Sequence, residues 1–124
     1  MPTKLILLID DEANVREVVQ ACLSDLGGWN VLSVTSEEGL QRLNVQPDAI
    51  ILNVLMPNMA EVAFIRKLRE SPLVGSIPIM MLTTNTIWFT PQQLQQLGVV
   101  GVIAKPFNPV VLPAQVASVL GWVL

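Results

Sequence analysis

Short apolar runs alternate along this chain with stretches in which apolar residues recur every three or four positions. Leu5-Ile6-Leu7-Leu8-Ile9 is unbroken hydrocarbon, the pattern of a strand covered on both faces. Val15, Val18, Val19, Cys22, Leu23 and Leu26 then fall at helical spacing, and Gly27-Gly28 supplies the stop. Residues 31–34 read as a second strand, after which Thr35 and Glu38 are spaced as a capping box for a short helix. Ala49-Ile50-Ile51-Leu52 forms a third strand running into Asn53. Residues 61–70 form a helix that turns Phe64, Ile65 and Leu68 inward. Pro78-Ile79-Met80-Met81-Leu82 is the fourth strand, ending at Thr83-Thr84. Residues 90–98 carry an N-cap threonine, a proline in the first turn and a glycine beyond the end. A fifth strand spans 99–104, and Asn108-Pro109 opens a last helix whose regular start Pro113 delays.

Five strands in strict alternation with five helices predict an α/β fold. Right-handed crossovers over a chain of 124 residues favour a doubly wound, five-stranded parallel sheet of order 2-1-3-4-5, a flavodoxin-like fold. No linker or repeat interrupts the pattern, so residues 1–124 read as one domain. Sheets of this kind place their sites outside the carboxyl ends of the strands.

Hydrophobic residues make up 52% of the chain and charged residues 14%, which excludes disorder. A net charge of −3 argues against a nucleic-acid surface, and the apolar runs are too short for a membrane span. Met1-Pro2-Thr3-Lys4 leads into a strand without a signal-peptide pattern, and the lone Cys22 fits a reducing cytoplasm. The absence of histidine removes the usual general base and metal ligand, and no enzymatic activity is expected. Charge is placed unevenly. Sixteen of the seventeen charged residues lie between Lys4 and Glu70, and beyond them stands only Lys105.

The strand ends carry the chemistry. Strand one ends in Asp10-Asp11, strand three in Asn53, strand four in Thr83 and strand five in Lys105-Pro106. Two carboxylates and an amide oxygen are hard ligands suited to Mg²⁺. A hydroxyl and an ammonium opposite them suit phosphoryl oxygens. Each residue also has a plainer role: the acids would cap the first helix, Thr83 would satisfy a strand end, and Lys105 would pair with Asp10-Asp11.

In Leu8-Ile9-Asp10-Asp11-Glu12, the Met56-Pro57-Asn58-Met59 loop, Pro78 to Thr83 and Lys105-Pro106-Phe107, the chain resembles the receiver domains of two-component response regulators. The resemblance implies a phosphorelay role, with Asp10 and Asp11 at metal-binding positions and Thr83 and Lys105 at phosphoryl-contacting positions. It places Asn53 where the family carries the phosphoacceptor aspartate. A carboxylate attacks phosphorus to give an acyl phosphate, whereas an amide's nitrogen lone pair is delocalised into its carbonyl. Deamidation would restore an aspartate, but the β-branched Val54 that follows slows it. Losing a carboxylate also weakens Mg²⁺ binding at Asp10, Asp11 and Asn53, by about tens- to hundreds-fold. Three further departures concern Glu61 in place of the family's glycine, Thr84 in place of a small residue and Val102 in place of an aromatic.

From Val110 to Leu124 the only polar side chains are Gln115 and Ser118, so the last helix lacks a polar face. Apolar surface of this kind marks an interface, with Val110, Val111, Leu120 and Trp122 as its candidates. The resemblance implies that the fourth helix, fifth strand and fifth helix together receive a protein partner or a second copy, with a histidine kinase or an output domain among the partners. The expectation is a cytoplasmic receiver-like interaction module that is silent at position 53. The alternatives are a phospho-switch seen in a non-phosphorylatable form, a flavin- or nucleotide-binding protein, and a metal-dependent phosphatase or phosphotransferase. Asp10-Asp11-Glu12 after strand one repels phosphate and disfavours the nucleotide reading.

Overall fold

The computed structural model describes residues 3–54, 59–84 and 89–124. Strands β1 (Leu5–Ile9), β2 (Asn30–Val34), β3 (Ala49–Val54), β4 (Ile79–Thr83) and β5 (Val99–Ala104) form one parallel sheet in the order β2-β1-β3-β4-β5. Helices α1 (Ala13–Ala21), α2 (Ser36–Gly39), α3 (Met59–Glu70), α4 (Pro91–Gln96) and α5 (Leu112–Leu120) connect and follow them. This is the predicted doubly wound fold. Residues 56–58 of the Met-Pro loop, Trp88 and the first two residues lie outside the described residues.

Side-chain alternation along each strand assigns its residues to two cores. Leu7, Ile9, Ile50, Leu52, Ile79 and Met81 face the side that carries Leu43, Ile65, Leu68 and Leu97. Ile6, Leu8, Ile51, Met80 and Leu82 face the side that carries Val19 and Leu23 with Leu112 and Val116. With β1, β3 and β4 covered on both faces, their carboxyl ends are held in fixed register at one edge. Leu52 lies opposite Ile9 and Met81, and Asn53 lies opposite Leu82.

The predicted caps form. Thr35 with Glu38, and Thr90 with Gln93, make reciprocal capping boxes that open α2 and α4. Pro113 sits in the first turn of α5, which begins at Leu112. The end of the first helix differs from its predicted pattern. Cys22–Leu26 is a π turn, and Leu26 is 57% exposed although an unbroken α-helix would place it on the apolar stripe. The wider turn moves it off that stripe. Val18, at the stripe's border, is also exposed. Gly101 is required by packing, because an added Cβ would stand 2.5 Å from Val119 Cγ1 on α5. Trp29 and the half-buried Trp122 meet edge to face at 5.4 Å, with Lys4 over the Trp122 ring, so both indoles serve packing. Cys22 is buried in the same core, where burial pushes its thiol pKa up. Among the described residues no helix is long and apolar enough to cross a membrane.

Arg69 ties the end of α3 to two other segments. Its guanidinium donates to the carbonyls of Ile77 at 2.8 Å, Leu97 at 3.2 Å, Gly98 at 2.5 Å and Gly75 at 3.3 Å. Short α4 has no buried residue of its own, so this clamp fixes where it ends. Arg69→Ala is expected to lower stability by about 2–4 kcal/mol, because several carbonyls lose a charged donor together. Denaturant unfolding of the two chains measures the difference.

Candidate functional site

The carboxyl ends of β1, β3, β4 and β5 bring Asp10, Asn53, Thr83 and Lys105 to one edge. Asp10 and Thr83 are almost wholly buried, and Asn53 is 5% exposed. The centre of the cluster is the Asn53 carboxamide. Its Nδ2 donates to Asp10 Oδ1 at 2.8 Å and to Glu12 Oε1 at 3.0 Å. Its Oδ1 accepts from Lys105 Nζ at 2.5 Å. This orientation is dictated by the partners, since carboxylates only accept and an ammonium only donates. Lys105 also pairs with Glu12 Oε1 at 3.4 Å. Thr83 borders the cluster through its backbone, its carbonyl accepting from Lys105 N at 2.8 Å.

Asp11 points elsewhere. Its Oδ1 and Oδ2 accept from the backbone N and the Oγ of Ser36, at 2.8 and 2.7 Å, beside the α2 capping box. It faces a cleft of about 190 Å³ lined also by Ile9, Leu52, Asn53, Ala60, Glu61 and Phe64. Glu61 is half-buried on the first turn of α3, and burial, followed by the charge of Asp11, raises its carboxyl pKa. Thr84 is exposed, and Val102 is half-buried against the core beneath α3 and α4.

Two features were missed in the sequence reading. Lys105 takes Glu12, rather than Asp10 or Asp11, as its ion-pair partner. Asp10 is already occupied by the Asn53 amide and the Glu12 N–H, whereas the longer Glu12 side chain crosses to β5. The third acid of the Asp10-Asp11-Glu12 run was the available signal. Ser36 was the other, as the residue that would hold Asp11 once α2 began beside it.

Burial is the largest influence on Asp10 and raises its pKa above the ordinary value, opposed by hydrogen bonds from Asn53 and the Glu12 backbone. Asp10 Oδ2 is the one buried side-chain nitrogen or oxygen among the described residues without a hydrogen-bond partner. A hard divalent ion needs oxygens free to turn towards it. Asp11 gives both of its oxygens to Ser36, Asn53 gives its one to Lys105, and Asn53 Nδ2 presents protons. Asp10 Oδ2 is the buried oxygen without a hydrogen-bond partner, and among the described residues no group of three acidic, His or Cys side chains is arranged to hold a metal. As they stand these residues are engaged with one another, and Mg²⁺ would have to compete with Ser36 for Asp11 and with Lys105 for Asn53.

The family model of the response regulator receiver domain matches residues 6–117. The chain belongs to this family. As a receiver it is 36% identical over 117 residues to response regulator Rre1 of Synechocystis, covering 93% of this chain and 51% of that protein. It is 32% identical over 122 residues to the phosphate regulon transcriptional regulatory protein PhoB of Pseudomonas aeruginosa, covering 97% and 53%. The receiver thus spans about half the length of the curated relatives it matches. Among solved structures it is similar to the chemotaxis response regulator CheY4 of Vibrio cholerae, at 31% identity and a TM-score of 0.81, covering 95% of this chain and 99% of that one. The receiver domain of a sensor histidine kinase from Pseudomonas aeruginosa, which has a magnesium ion coordinated in its active site cleft, shares the fold at 24% identity and a TM-score of 0.77, covering 97% and 99%.

Because the folded-state pKa of Asp10 is raised, its contribution to stability is present below the unfolded value of 3.8 and is lost as pH rises through the folded value. The ionised, half-satisfied carboxylate therefore costs stability at neutral pH. Asp10→Asn keeps an Oδ1 acceptor for both donors and is expected to stabilise the metal-free protein by about 1–2 kcal/mol at neutral pH. The gain is expected to shrink as the solution is acidified, as read by denaturant unfolding across that range.

Proposed function

We propose that this receiver is a protein-interaction module of two-component signalling that does not take up phosphate at residue 53. The observation that carries the reading is the Asn53 carboxamide, whose nitrogen is tied to Asp10 and Glu12 and whose oxygen is tied to Lys105. No nucleophilic atom is presented at the position from which a receiver's aspartate would attack. The module turns over no substrate, and it binds Mg²⁺ weakly because the ion must first release Asp11 from Ser36 or Asn53 from Lys105.

Its working surface is the face of α4, β5 and α5. The residues of that face beyond Lys105 carry no charge. Gln92, Gln93, Gln95 and Gln96 are exposed on α4, Val100 is 52% exposed on β5, and Val110 and Val111 are exposed ahead of α5. Leu120 and Trp122 are half-buried against the core, so Val110 and Val111 contribute more of the contact. A neutral face lets a second copy of this acidic chain, or another protein such as a kinase or an output region, approach without like-charge repulsion. Nucleic acid is not among the partners of this segment.

A second reading, a phospho-switch held in a silent form, is favoured by the placement of Thr83 and Lys105 at the strand ends. Intact mass after incubation with acetyl phosphate and Mg²⁺ separates the two. The natural chain is expected to remain unmodified, and a stoichiometric adduct would overturn the first reading. Asn53→Asp gaining phosphate would show that the rest of the machinery is competent.

Association through the neutral face is expected to change little between low and high salt, since exposed ion pairs are what salt weakens. Val100→Glu is expected to weaken it roughly tenfold or more, by burying an unpaired charge. Sedimentation of the natural and variant chains over a range of salt reads both effects.

A further inference from the structure

Four side chains at the strand ends satisfy one another almost completely without any bound ion. Asp10 and Glu12 bring two negative charges, Lys105 brings one positive charge, and Asn53 brings a dipole with its protons towards the acids and its oxygen towards the ammonium. The net charge of the group is −1. An aspartate at 53 would make it −2, with a third carboxylate against Asp10 and Glu12 where two N–H donors now stand. That arrangement calls for a cation, and the present one does not.

We infer that the Asn53 carboxamide, positioned by Glu12, is a built-in substitute for the divalent ion, so that the folded state of this receiver does not depend on bound metal. The inference rests on the proposed reading that Asn53 works as an amide. Glu12 is a positioning residue here, because Oε1 accepts from both Asn53 Nδ2 and Lys105 Nζ and so fixes the distance between them. The Lys105 side chain is 11% exposed, so its ammonium is enclosed by these partners and is not a free surface charge. The site regulates nothing by occupancy. It holds the end of β5, and with it the neutral face, in one state.

Thermal unfolding in chelator and in excess Mg²⁺, without phosphodonor, tests this on the natural chain, Asn53→Asp and Glu12→Gln. The natural chain is expected to melt at nearly the same temperature in both solutions, rising by no more than about 1 °C in Mg²⁺ because its binding is weak. Asn53→Asp is expected to melt roughly 5–10 °C lower in chelator and to recover most of that loss in Mg²⁺, because the ion binds the folded state alone. Glu12→Gln is expected to melt a few degrees lower, about 2–5 °C, with no response to Mg²⁺. Equal Mg²⁺ stabilisation of the natural and Asn53→Asp chains would overturn the inference. So would Asn53→Asp matching the natural chain in chelator, or, should that variant not fold, Glu12→Gln melting at the natural temperature. A phosphate adduct on the natural chain would defeat the silent-acceptor reading without altering any of these melting temperatures, so the two failures are distinguishable.

Discussion

One amide group organises the carboxyl edge of the sheet. The Asn53 carboxamide both donates and accepts, and it sits between two carboxylates that only accept and an ammonium that only donates. Remove its donor end and the buried Asp10 faces the half-exposed Glu12 with no donor between them. Remove its acceptor end and Lys105, the single charged residue beyond Glu70, keeps Glu12 as its partner among the described residues. Burial makes these alternatives costly, since a half-satisfied polar network is penalised more heavily than an exposed one.

The geometry follows from the strands beneath. β1 and β3 are apolar on both faces and pair in parallel, which fixes Asp10 and Asn53 at neighbouring strand ends. β5 brings Lys105 up from the far side of β4, with its backbone N–H held by the Thr83 carbonyl. The register of the hydrophobic core therefore sets the distances in the polar cluster. Charged residues stand on the early elements and α4, β5 and α5 are almost neutral, so the polar site and the uncharged face adjoin through a single strand.

Much of this was legible in the chain itself. Continuous apolar runs announced strands buried on both sides, and strict alternation with helical patterns fixed the sheet order once right-handed crossovers were assumed. The strand-end residues could be named because a parallel sheet gathers its carboxyl ends at one edge. Pairings within the cluster could not be read in the same way. Side-chain length and competition decide them: Glu12 reaches Lys105 because Asp10 is already engaged, and Asp11 is drawn off by Ser36 at the start of a short helix. The π turn at Cys22–Leu26 was equally hidden, since its residues keep helical spacing while the wider backbone turn exposes Leu26. Trp122 read as an interface residue on its apolar character, and its partner Trp29 lies too far away in sequence for the contact to be foreseen.

The account turns on where the two amide protons of Asn53 go. Nitrogen-15 NMR of the side-chain amide pair, followed while Mg²⁺ is added, observes them directly. Two downfield, slowly exchanging resonances that stay in place as Mg²⁺ is added are the predicted result. Resonances at ordinary solvent-exposed positions, or a pair that moves and saturates with the metal, would contradict it.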